Sequence, residues 1–108
     1  MKTDDILEKK EYYSILLQIY ENLLTESVKR RMESFYFDDL SLFEIAENEK
    51  VSRNAIFQSI KAGKKEIDFY EEKLHVYKRC KMISKLIDKK ILDDETINKI
   101  REDYLYGI

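Results

Sequence analysis

Arg53, Asn54 and Gln58 have the most specific chemistry to offer in this sequence. An arginine can bridge O6 and N7 of guanine, and an asparagine or glutamine can bridge N6 and N7 of adenine. Ser52 precedes the group, and Phe57 lies within it with an apolar edge suited to a thymine methyl. Lys61, Lys64 and Lys65 follow, where a helix laid in a groove would pass phosphates. Such lysines add affinity that falls with salt and carries no sequence information.

Other residue types offer less. His75 is the only histidine and Cys80 the only cysteine, and two ligands without further Cys or His nearby are too few for zinc. The acidic pairs Asp38-Asp39, Glu71-Glu72 and Asp93-Asp94 sit at adjacent positions, which point apart on a helix and do not make an acid–base pair. No glycine-rich phosphate loop or nucleophile motif occurs. The chain reads as non-enzymatic, with no catalytic residue, metal or cofactor expected.

The elements that must position these residues are helices. Among 108 residues there is no proline, and Gly63 and Gly107 are the only glycines. Sheet-rich folds need many turn residues, which this sequence lacks. Tyr12, Tyr13, Leu16, Ile19, Tyr20, Leu23 and Leu24 recur at helical steps and predict a first helix over 4–24. Thr25 stands as the N-cap of a second, its hydroxyl accepting from freed backbone N–H groups. That helix carries Val28, Met32, Phe35 and Tyr36 as its apolar stripe, and Asp38-Asp39 closes it. Ser41 with Glu44 three residues on forms a capping box for a short third helix that turns Leu42, Ile45 and Ala46 inward.

After a turn at Lys50-Val51, Ser52 caps a long helix beginning at Arg53. Ile56, Ile60, Gly63, Ile67, Tyr70, Leu74 and Tyr77 form a heptad seam along it. The phase slips between Tyr77 and Lys81, where a kink or break is expected. A last helix is predicted from Asp93 to Tyr104, with Asp93, Asp94 and Glu95 at its positive dipole end. The expected organisation is one helical domain over 1–108, with a helix-turn-helix at 41–65 and a helical extension at 66–108.

Residues 42–61 fit a helix-turn-helix template. Ala46 is small where the two helices cross, Val51 is an apolar plug in the turn, and Ile56 and Ile60 face the first helix. Lys50 replaces the usual turn glycine, so either the turn takes another geometry or Lys50 adopts a left-handed backbone. With 56 and 60 inward, Ser52, Arg53, Asn54, Phe57, Gln58 and Lys61 face outward from the first turns of a recognition helix.

Charge is unevenly spread. The formal total is −2, but residues 1–49 carry 6 Lys/Arg against 12 Asp/Glu, whereas residues 50–90 carry 12 against 5. The basic segment therefore coincides with the template, which favours a polyanionic partner there. A lone cysteine excludes an intrachain disulfide and suits a reducing compartment. No apolar run is long enough to span a bilayer, and no apolar stretch follows Met1 as in a signal peptide. A cytoplasmic location without membrane insertion is expected.

The run from Phe35 to Glu47, with its Tyr36-Phe37-Asp38-Asp39 lead-in, followed by Val51-Ser52-Arg53-Asn54-Ala55-Ile56, resembles the YlxM family of small bacterial proteins. The segment Tyr70-Glu71-Glu72-Lys73-Leu74 is similar to that family as well. The inner block, Ser41-Leu42-x-Glu44-Ile45-Ala46 and Val51-Ser52-Arg53, is also shared with sigma-factor region 4. What the resemblance implies is an all-α, sigma-region-4-like helix-turn-helix fold with a long recognition helix and C-terminal helices. It further implies DNA binding and a place in the signal recognition particle pathway. Helix-turn-helix units also serve as docking modules. A non-catalytic adaptor for the signal recognition particle GTPase, or for its RNA, stays open beside a DNA-binding regulator. Tyr70, Leu74 and Tyr77, flanked by Lys and Glu, predict a homodimer that presents two recognition helices to successive major grooves.

Overall fold

A computed structural model describes residues 4–7, 9–88 and 94–102. The described residues form helices α1 (Asp4–Leu7), α2 (Lys10–Tyr20), α3 (Glu26–Tyr36), α4 (Leu42–Glu49), α5 (Arg53–Leu74), α6 (Val76–Asp88) and α7 (Asp94–Ile100), with a 3-10 turn at Glu21–Leu23. The fold is all-α. The chain divides into two compact units, Met1–Tyr70 and Glu71–Ile108.

The first unit is built around one apolar core. Leu16, Leu17 and Tyr20 of α2, Met32, Phe35 and Tyr36 of α3, Leu42, Ile45 and Ala46 of α4, and Ile56, Ile60 and Ile67 of α5 are all buried. The amphipathic spacing legible in each helix is the cause, since burying each apolar stripe removes it from water. Tyr36 keeps its hydroxyl satisfied inside by donating to the Ile6 carbonyl at 2.8 Å.

Gly63 sits on the buried side of α5. A Cβ at this position would lie 2.5 Å from Met32 Sδ and 2.7 Å from Val28 Cγ1. Glycine is therefore what lets α5 cross α3 at this separation, as small residues do wherever backbones approach closely.

Several local expectations are corrected. The first helix is not continuous: Lys9 takes a left-handed backbone (φ 57°) between α1 and α2. The chain then tightens into a 3-10 turn at Glu21–Leu23, which changes the side-chain phase and leaves Leu23 52% exposed. Thr25 occupies the N-cap position of α3 with extended backbone, but its side chain makes no capping hydrogen bond.

In the second unit, the helix break falls at His75 (φ 55°), ahead of the expected Tyr77–Lys81. The Glu71 carboxylate explains the earlier break. It accepts from the N–H groups of Tyr77 and Lys78, each at 3.1 Å, so an acidic side chain of α5 caps the N-terminus of α6. On α6, Lys78, Lys81 and Lys85 lie opposite the apolar positions Val76, Cys80, Ile83 and Ile87 by helical spacing. The ends expected for the last helix, Asp93 and Tyr104, lie outside the described residues.

Candidate nucleic-acid interface

Two caps and a turn position the site. Ser41 Oγ accepts from Glu44 N–H at 3.1 Å while Glu44 Oε1 accepts from Ser41 N–H at 3.1 Å. This reciprocal pair starts α4 where the sequence places it. At the other end, Val51 N–H donates to the Ala46 carbonyl (3.1 Å) and Lys50 N–H to that of Glu47 (3.3 Å). These two bonds close a Schellman turn. Lys50 carries its left-handed conformation, φ 59° and ψ 44°, so the missing turn glycine is replaced by a strained lysine and not by a different turn. Ser52 Oγ then accepts from Ala55 N–H at 3.0 Å and starts α5.

From that start, Asn54 and Gln58 are exposed, Lys61 is half-buried and Lys65 is exposed. Their spacing of four, three and four places them in one line along α5, roughly 16 Å long at about 1.5 Å per residue. The opposite side of the helix carries Ile56, Ile60, Gly63 and Ile67, all buried. The helix thus presents a polar and cationic edge while its back is fixed to the core. Ser52 and Arg53 are also exposed, and Arg53 lies about 100° around the helix from Asn54.

Phe57 does not belong to this edge. It is 3% exposed, so its ring cannot reach a thymine methyl. Phe57, Lys61, Lys64 and Asp68 share one flank of α5 by helical spacing, and α2 meets that flank through Tyr13. The Tyr13 hydroxyl donates to Asp68 Oδ1 at 2.7 Å, and Lys64 Nζ stands 4.6 Å from the centroid of the Tyr13 ring. Lys64 is therefore held over an aromatic face of the core and not extended with Lys65. Lys61 Nζ lies 5.8 Å from the Phe57 ring centroid, so its stem covers the buried aromatic while the ammonium remains at the surface. Val51, expected as a plug, is 40% exposed. The Schellman turn carries the tight bend through backbone hydrogen bonds.

The environment of Tyr13 raises its phenol above the ordinary value, first through burial and then through the hydrogen bond and charge of Asp68. Tyr36 is raised in the same direction, by burial first and Asp68 second. Both remain neutral hydroxyls at physiological pH, so the flank behind the cationic edge adds no phenolate charge.

The pattern of apolar residues missed one exposed side chain near this edge. Phe43, the second residue of α4, is 63% exposed and lines a groove of about 410 Å³ together with Arg53, Leu7, Lys10, Asp39 and Ser41. The inward set Leu42, Ile45 and Ala46 could have revealed it, because position 43 then points away from the core.

A short capped helix, a tight turn and a second helix with a packed back and a polar front define a helix-turn-helix protein. The chain matches the family model UPF0122, "Putative helix-turn-helix protein, YlxM / p13 like", over residues 7–106, and it belongs to that family. It is 42% identical over 102 residues to UPF0122 protein FN1394 of Fusobacterium nucleatum, covering 93% of this chain and 99% of that one. It is 36% identical over 100 residues to UPF0122 protein YofM of Lactococcus lactis, covering 89% and 90%. With UPF0122 protein MYPE4850 of Malacoplasma penetrans the identity is 42% over 89 residues, 82% of each chain. Among the described residues, no helix is long and apolar enough to cross a membrane.

Proposed function

We propose that the protein is a non-enzymatic DNA-binding regulator that lays α5 in the major groove of a duplex. The observation that carries this reading is the line of Asn54, Gln58, Lys61 and Lys65 on a helix whose opposite side is buried. Asn54 and Gln58 are the base-reading residues, since an amide can pair with both N6 and N7 of adenine. Lys61 and Lys65 lie further along, where the backbone passes, and contribute affinity by releasing counterions. Duplex RNA is a poor alternative ligand, because its major groove is too narrow for a helix.

The test is selection of bound sites from a randomised duplex pool, followed by titration of the selected site at two salt concentrations. Wild type should enrich a defined site and bind it less tightly as salt rises. N54A/Q58A should lose the preference for that site while retaining salt-dependent binding to all duplexes. If wild type enriches nothing and binds every duplex as weakly as the double variant, the regulator reading fails. A two-fold dimer, expected from the heptad seam, would present two copies of α5 to successive major grooves. Sedimentation of the intact chain tests it, and a monomer at all concentrations removes it.

A second reading is an adaptor in the signal recognition particle pathway, acting in the cytoplasm. It is favoured by the acidic balance of residues 1–49 and by the exposure of Leu23 and Phe69 in the first unit. Retention of the targeting GTPase or its RNA on the immobilised chain would support it, and no retention of either would remove it.

A further inference from the structure

Phe43 is the most exposed of the large apolar side chains among the described residues, and its place in the fold gives that exposure a use. It shares its groove with Arg53 at the start of α5, with Leu7 (43% exposed) and with the ion pair of Lys10 and Asp39. The ion pair is neutral in sum, so the guanidinium of Arg53 sets the charge of the groove. An apolar wall beside a single cation matches the two faces of a nucleotide's backbone, the carbon face of deoxyribose and the phosphate oxygens.

Dimensions place a backbone there. An α-helix with its side chains is about 10–12 Å across, and the major groove of B-form DNA is about 12 Å wide. A helix seated in that groove therefore touches its floor along one edge and its walls along the flanks, and the walls are the sugar–phosphate strands. With Asn54 and Gln58 toward the floor, Arg53, about 100° around the helix, turns toward one wall.

Resting on the DNA-binding function proposed above, we infer that the groove between Phe43 and Arg53 receives the sugar–phosphate backbone of one DNA strand, with the Phe43 ring against deoxyribose and the Arg53 guanidinium at the adjoining phosphate. Phe43 would then supply affinity for every sequence and preference for none. Its contribution would be independent of salt, because it carries no charge, whereas that of Arg53 would weaken as salt rises.

The experiment measures binding of a mixed-sequence DNA duplex of about 30 base pairs, roughly three helical turns, by fluorescence anisotropy at low and moderate salt. The proteins compared are the intact chain, F43A, F43L, R53A and F43A/R53A, each checked for an unchanged thermal melt. F43A should bind about fivefold more weakly, the effect of withdrawing roughly half a phenylalanine from a contact. Its salt dependence should match wild type, and F43L should recover part of the loss. R53A should reduce the salt dependence. The double variant should lose less than the product of the two single effects, because both residues hold the same strand. Equal binding by wild type and F43A overturns the inference while leaving the DNA-binding reading intact. A loss confined to certain sequences assigns Phe43 to a base and overturns it as well. If wild type binds no duplex at all, both readings fall.

Discussion

The hydroxyl of Tyr13 and the carboxylate of Asp68 meet at 2.7 Å across 55 residues of sequence, and this bond ties α2 to the far half of α5. One aromatic residue engages two side chains a turn apart, since Lys64 stands over the same ring. Tyr13→Phe removes the donor but keeps the ring. The expected loss is about 1 kcal/mol or less, because solvent can replace the phenol at the exposed carboxylate. Urea denaturation of wild type and variant checks it, and a loss of several kcal/mol would show that the bond organises more than its own two partners.

Alkaline pH should unfold the chain by way of its phenols. Tyr13 and Tyr36 hold their protons more tightly when folded than at the ordinary value of 10.0. The native state therefore binds more protons than the unfolded one above that pH, and stability falls as pH rises. Their contribution is complete below about pH 10 and is lost progressively above it. Stability measured across the alkaline range, followed with tyrosinate absorbance, should show two of the eight tyrosines ionising only as the chain unfolds. A stability that stays level to the highest pH would refute this.

Adjacent residues on α5 should behave in opposite ways. Phe57 is buried and Gln58 exposed. Phe57→Ala leaves a cavity and should destabilise by about 3–5 kcal/mol. Gln58→Ala should change stability by no more than roughly 0.5 kcal/mol. Thermal melts decide the matter, and any binding defect in the first variant reflects folding where the defect in the second reflects contact.

Replacing Lys50 with glycine should stabilise the turn. A left-handed backbone at a residue with a Cβ costs about 1 kcal/mol, and glycine removes that strain while adding unfolded-state entropy. The net gain expected is about 0.5 kcal/mol, read as a higher urea midpoint with unchanged slope. A lower midpoint would mean that the Lys50 side chain contributes more than its backbone loses.

The parts of this fold that were legible in the sequence are those fixed by short-range chemistry. Ser41 and Glu44 lie three apart and cap one another, whatever surrounds them. The inward spacing of Ile56, Ile60 and Ile67 likewise follows from helical periodicity alone. Helix ends marked by no turn residue were harder to place. Lys9, Asp39, Lys50 and His75 all take positive φ, a role usually left to glycine or asparagine, and a lysine or histidine gives no such signal. Only Lys50 was foreseeable, because the template names its position.

The edge of the candidate site was misjudged at Phe57 for a different reason. Helical spacing separates the core side of α5 from the outer side, but the flank between them is assigned by whichever neighbour lies against it. Tyr13 of α2 marks that neighbour, and no pattern within α5 encodes its position. Asn54, Gln58 and Lys65 sit far enough from the flank to be read correctly, whereas Phe57 and Lys64 do not.

The missing side chain at Gly63 has a mechanical meaning. The distance from the body of the protein to the tips of Asn54 and Gln58 is set on the hidden side of α5, by how near that helix lies to Met32 and Val28. A methyl group at 63 would act as a shim, raising the middle of the helix and tilting its leading end. Reach into a groove could thus be adjusted from behind, by a residue that no ligand ever touches.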